Sequence, residues 1–334
     1  MHVTSRERAS AEVAEDAVAI GLTAVVLAMT DEEPRVLVLR RPPGRDALPA
    51  GPLEAHHRTL EAGLRAWVEE QTRQRLGYVE QLYTFGDRGR QAGSAPAAEG
   101  AGGGTARRAV SIGYLALVRE VRAGGPGDAV WQSWYRYFPW EDWRGGRPVA
   151  QSRFDAPLRR WAAAASAEAD RRIRQERLHL AFGVDGLGWN DERVLDRYEL
   201  LYQAGLVPEG RRAQAMAGPD EADAAMVADH RRILATAIAR LRGKIKYRPV
   251  VFELMPPTFT LLQLQRTVEA LAGVHLHKQN FRRLVAQQGL VEETGAMVTS
   301  TGGRPAREVR FRRDVLLERL APGVKVPVAR RQAV

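Results

Sequence analysis

Residues 259–311 read FTLLQLQRTVEALAGVHLHKQNFRRLVAQQGLVEETGAMVTSTGGRPAREVRF. Thr260 and Gln263 stand at capping-box spacing, so hydroxyl and amide can satisfy first-turn N–H groups. The helix they open carries Leu261, Leu264, Val268 and Leu271 on one face, and Gly273 ends it. A four-residue turn leads to a second helix over roughly Lys278 to Gln288. At 100° per residue Phe281, Leu284, Val285 and Gln288 cluster on one side, while Gln279, Arg282, Arg283 and Ala286 point the other way. Gly289 stops it. Two strand-like runs follow, Leu290–Glu292 and Glu308–Phe311, joined through the Gly-rich, cationic stretch 299–305.

Helix, turn, helix and a hairpin with a basic tip is the layout of a winged helix-turn-helix. Its second helix enters the major groove and its wing lies on the backbone or minor groove. On that reading the DNA-facing candidates are Lys278, Gln279, Arg282 and Arg283, with Asn280 toward the flank, Arg304 and Arg307 on the wing, and Lys244 and Lys246 near phosphates.

Charge supports this placement. The 334-residue chain has a net charge of +10. Arg240 to Val334 carries 18 Lys+Arg against 7 Asp+Glu, and the rest is nearly neutral. A positive block of this kind attracts polyanions and releases their counterions, which favours nucleic acid over a membrane surface. The 45% apolar and 27% charged residues are those of a globular protein, not a disordered one. Cysteine is absent, which excludes disulfides and thiolate metal sites. No apolar run reaches the roughly 18 residues of a membrane span, and the polar first residues lack a signal-peptide core. A cytoplasmic protein with no membrane partner is expected.

Outward from the C-terminal module, Thr23–Met29 and Val36–Leu39 form a hairpin around Asp31-Glu32-Glu33-Pro34. Leu60, Leu64, Trp67 and Val68 predict a helix from Thr59 to about Leu76. Tyr78–Phe85 and Ala109–Val118 are strand-like, and Gly86–Arg108 is a low-complexity loop. Four of seven tryptophans fall within 131–143, which suits core and dimer packing better than a cofactor cage. Leu158–His179 reads as helical. Asn190-Asp191 can cap a helix through Val194, Tyr198 and Leu201, and Ala224–Arg242 forms a linker helix. His56-His57 suggests no ligand set.

The segment Gly51–Glu70, GPLEAHHRTLEAGLRAWVEE, resembles a Nudix box, G-x5-E-x7-R-E-U-x-E-E-x-G-U. Gly51, Arg65, Trp67, Glu69 and Glu70 match. Ala66 replaces one of three metal-binding glutamates, His57 the earlier Glu, and Thr72 the Gly. Carboxylates at i, i+3 and i+4 share one helix face and hold divalent cations against a diphosphate. With Ala66, Glu69 and Glu70 are left as a weak, vestigial Mg²⁺ site, and no catalytic residue is assigned. Further stretches extend the resemblance: 82–90, 110–117, 241–249, 259–265, 280–283 and 303–305 are similar to Nudix-related transcriptional regulators of NAD metabolism of NrtR type. The helical section with Tyr198–Val207 is more like the longer NadQ-type regulators.

The resemblance implies an α+β chain: a Nudix-like α/β/α sandwich, a helical middle section and a C-terminal winged helix-turn-helix. The expected divisions are a frayed 1–16, a sensor domain 17–150, a helical insert and linker helix 151–243, the winged helix 244–314 and a basic tail 315–334. It also implies a homodimer on a palindromic double-stranded DNA operator, repressing genes of NAD synthesis or salvage. The Nudix domain would sense NAD, ADP-ribose or ATP with no required cofactor. Arg40, Arg41, Arg65, Arg88 and Arg90 are candidate diphosphate contacts, because guanidinium groups pair bidentately with phosphate. The alternative is an active hydrolase, an ADP-ribose or NADH pyrophosphatase.

Overall fold

The computed structural model describes residues 18–41, 45–87, 109–119, 129–184, 187–213, 224–299 and 305–318. Arg88, Arg90 and Arg304 lie outside these residues, as does most of the tip between the wing strands.

A mixed sheet organises the first half. Strands β1 (Ala19–Thr30) and β2 (Glu33–Arg41) form the expected hairpin. Asp31 and Glu32 take φ of 51° and 61°, the left-handed values of a two-residue turn that matches strand twist. Strands β3 (Arg45–Ala47), β4 (Ala50–Pro52), β5 (Tyr78–Phe85), β6 (Ala109–Leu117) and β7 (Ala129–Ser133) complete the sheet. The order is β3-β2-β1-β6-β5, with β4 also on β1 and β7 also on β2. Only the β1–β6 pairing within it is parallel.

Both faces of β1 are buried, and alternate residues serve different cores. Leu22, Ala24, Val26 and Ala28 pack with Leu64 and Val68 of helix α1 (Leu60–Thr72). Val25 and Leu27 join a larger core on the other side. Helix α1 stops at Thr72, short of the expected Leu76, because Arg73 turns left-handed at φ 58° and its N–H donates to Glu69 O.

The helical stretch expected over Leu158–His179 falls in two helices, α2 (Val149–Ala163) and α3 (Glu168–Phe182). Helices α4 (Val194–Gln203) and α5 (Pro208–Ala213) follow. Asn190 does not cap α4; its Oδ1 accepts from Glu192 N at 2.9 Å, one turn earlier. The linker helix, α6, begins at His230 rather than Ala224 and runs to Lys244. Residues before it are held by β3, where Val227 N donates to Asp46 O.

Helix α6 packs against β1, β5 and β6. It is therefore the second helical layer of the sandwich as well as the connection to the C-terminal module. That module has β8 (Thr258–Thr260), α7 (Leu261–Ala272), α8 (Lys278–Gln288), β9 (Val291–Val298) and β10 (Ala306–Phe311), with sheet order β8-β10-β9. A last turn of helix, α9, spans Val315–Glu318. Phe259, Leu264, Val268, Phe281, Val285 and Val309 belong to the same core cluster as Val25, Leu115 and Ile238. No helix among the described residues is long and apolar enough to cross a membrane.

Candidate nucleic-acid interface and ligand face

Helix α7 starts as its sequence dictates. Thr260 Oγ1 accepts from Gln263 N at 3.2 Å, and Thr260 N donates to Gln263 Oε1 at 2.7 Å. Gly273 closes it in the left-handed region, φ 72°. Helix α8 runs over the expected residues, and Gly289 ends it at φ 55°. Phe281 and Val285 bury its inner face. Lys278, Gln279, Asn280, Arg282 and Arg283 are all exposed, and none has a side-chain partner among the described residues. Asn280 is exposed with the others. Ionised and amide donors left free on one helix face are what base edges and phosphates recognise.

The remaining basic candidates sit differently. Arg307 on β10 is 71% exposed but pairs with Glu293 of β9 at 2.6 Å. Lys244 and Lys246 are each engaged with carboxylates of the chain itself. Lys244 Nζ meets Tyr78 Oη at 2.8 Å and Glu80, and Lys246 Nζ meets Asp191 at 2.9 Å and Glu192 at 2.6 Å. Burial alone would lower both ammonium pKa values, yet these partners hold them above the ordinary value. Positions 244–246 span the end of α6, where the carboxylates of β5 and of residues 191–192 meet a cation.

The Nudix-like face is held by close packing. A Cβ at Gly51 would come within 2.3 Å of the Trp67 ring, whose indole N–H donates to Pro52 O at 2.8 Å. Arg65, expected at a diphosphate, instead braces the α1–β5 connection: it donates to Leu76 O and Gly77 O and pairs with Glu61 at 2.8 Å. Glu69 pairs with Arg75 at 3.0 Å. Glu70 is exposed without a side-chain partner among the described residues, and so are Arg40 and Arg41, the last two residues of β2. One engaged and one free carboxylate, with Ala66 in the third position, do not fit the donor set of a multi-metal hydrolase centre.

Two features were not legible as a site. Glu54, His56 and His57 bring one ligand atom each within 4.8 Å of one another, although the adjacent histidines alone suggested nothing. Internal bonds already occupy them: His57 Nδ1 accepts from Glu54 N, and His56 Nδ1 lies 3.1 Å from Glu54 Oε2.

The second feature is a buried ionic joint between the sandwich and α7. Glu141 accepts from Arg197 through both oxygens, at 2.6 and 2.7 Å, and from Arg242 at 2.7 Å. All three side chains are buried. Arg242 Nε also donates to Leu271 O at 2.8 Å, Tyr135 Oη to Ala270 O at 2.6 Å, and Trp143 N to Gly273 O at 2.7 Å. The terminal carbonyls of α7 are thus capped by groups from the sandwich. A Cβ at Gly273 would lie 2.3 Å from Glu141 O, so the two parts meet where only glycine fits. The sequence signal was available: Arg197 sits on the Val194–Tyr198–Leu201 stripe, and Arg242 lies on the buried side of α6 with Leu241 and Ile238.

Comparison with known proteins bears on both halves. Residues 251–311 match the family of NrtR DNA-binding winged helix domains. Over 83 residues the chain is 43% identical to the ADPR responsive transcriptional repressor NtrR of Acinetobacter baylyi; the match covers 25% of this chain and a third, 33%, of that relative's length. The fold of Shewanella oneidensis NrtR, solved with a 27mer DNA, matches with a TM-score of 0.51 at 20% identity, over 89% of this chain and 94% of that one. A MutT/nudix family protein from Enterococcus faecalis matches with a TM-score of 0.51 at 15% identity, over 93% and 94%.

Proposed function

We propose that this chain, which has the two-part architecture of the NrtR-type regulators, is a DNA-binding transcriptional repressor whose Nudix-like domain senses a nucleotide by binding it. The observation that carries the reading is the outer face of α8. Five donor side chains stand exposed and unpaired there, within the segment that matches a DNA-binding winged helix family. The reading extends to a homodimer acting in the cytoplasm on a palindromic operator upstream of NAD synthesis or salvage genes. Two-fold protein symmetry would then present two α8 helices to half-sites one helical turn apart.

ADP-ribose is the first effector to test, since the Acinetobacter relative is named for its response to it. NAD and ATP are the others. An effector releases DNA only by binding the DNA-free arrangement better. The engaged Glu69, the substitution at Ala66 and the bracing role of Arg65 favour binding without hydrolysis.

The test is a DNA-binding titration with the protein's own upstream region and neighbouring NAD-synthesis promoters, with and without each nucleotide. Specific binding altered by one nucleotide is the expected result. Sequence-blind binding unmoved by any nucleotide would overturn it. A turnover assay with Mg²⁺ and ADP-ribose runs beside it, and product formation abolished by Glu70→Gln would turn the assignment to a hydrolase.

A further inference from the structure

A cleft of about 300 Å³ opens in the helical section, away from the Nudix-like box. Trp143, Phe182, Arg147, Asp155 and Arg159 line it. Its volume is at the small end of ligand sites. Its walls combine two aromatic side chains with two guanidiniums and one carboxylate, so the lining carries a net positive charge. Arg147 pairs with Asp155 at 2.6 Å through one of its nitrogens, which leaves further N–H groups on that guanidinium.

Trp143 ends a chain of ring contacts, its ring tilted 35° to that of Trp189. Arg197 lies 3.7 Å from the Trp189 ring centre, and Trp189 lies 4.5 Å from Trp143. Trp143 lines the cleft and Trp189 does not. The indole N–H groups of Trp143 and Trp189 are buried and have no acceptor among the described residues.

We infer that this cleft is a second ligand site, taking a compact planar aromatic ring that bears one anionic group. The ring packs against Trp143 and the anion meets Arg147 and Arg159 beside their existing partners. The site is wired to the winged helix by short bonds. Trp143 N donates to Gly273 O, and the stacked Arg197 shares Glu141 with Arg242, which holds Leu271 O. Helix α1, with Glu69 and Glu70, lies across the sheet in the other core cluster. The cleft and that face thus lie in different parts of the fold, the cleft's contacts leading to the end of α7.

The test is isothermal titration of the full chain with benzoate against its uncharged isostere benzamide. Binding of benzoate is expected, with benzamide at least tenfold weaker. Arg159→Glu and Arg147→Glu, both at exposed positions, should each weaken the anion at least tenfold. Arg172→Glu, exposed on α3 and outside the cleft lining, should leave it within twofold. Three results overturn the site: no binding of benzoate to millimolar concentration, benzamide binding as well as benzoate, or loss through Arg172→Glu with Arg159→Glu unaffected. The ADP-ribose response of DNA binding is read separately, so the regulator assignment stands or falls on its own.

Discussion

His230, the first residue of α6, is wholly buried, and its Nδ1 accepts from Leu48 N at 2.8 Å. Burial, with a contribution from Arg41, pulls its pKa from 6.5 down to about 4. The unfolded chain takes up a proton in that window and the native state does not. Stability is therefore complete above the unfolded value and falls as pH drops toward the folded one. The expected loss between pH 7 and pH 5 is about 2 kcal/mol, read by urea unfolding at the two pH values; equal midpoints would remove His230 as the cause. On α8, Arg283→Ala should weaken operator binding by roughly 1–3 kcal/mol through a lost base-edge contact. A competition titration with scrambled DNA checks this, because a loss uniform across sequences assigns Arg283 to phosphate. The exposure of Arg282 and Arg283 was legible from helical phase alone. The fate of Lys244 and Lys246 was not, since their carboxylate partners come from positions 80, 191 and 192, which only tertiary structure brings near.

Among the elements, α7 carries local signals at both ends, Thr260 with Gln263 and then Gly273, while α8 carries one at its close, Gly289, and has no side-chain cap at its start. Thr260→Ala removes the hydroxyl half of the capping box and should cost about 1 kcal/mol, measured as a lower urea midpoint. Where ends are set by distant contacts, the sequence misleads. Helix α1 ends at a left-handed arginine, and α6 starts late because β3 holds the chain before it. The Arg197–Glu141–Arg242 joint draws on three separate segments: both arginines lie on apolar helix stripes, but nothing local in the sequence pairs them with Glu141. Glu141→Ala would leave two buried guanidiniums uncompensated and should destabilise the chain by roughly 3–5 kcal/mol, again by urea unfolding. A near-neutral result would mean that water reaches the joint.

Over the whole molecule the larger core runs without interruption from Val25 in the sheet to Val309 in the wing. Unfolding should therefore be a single transition, with the same midpoint by far-ultraviolet circular dichroism and by tryptophan fluorescence. Two separated midpoints would show that the winged helix folds apart from the sheet. The division expected at residue 243 followed composition and charge, and neither reports that α6 buries one side against the sheet while its end grips α7. Gly273 is the closest point of that grip, and α8 begins only five positions later. Eleven residues make α8 a rod of ~16 Å at 1.5 Å per residue. A swing of about 10° about the glycine would carry its far end ~3 Å, close to the 3.4 Å that separates neighbouring bases along a strand. If α8 reads base edges as proposed, a pivot this near it would have mechanical advantage: a small displacement at Gly273 would put the rod one letter out of register.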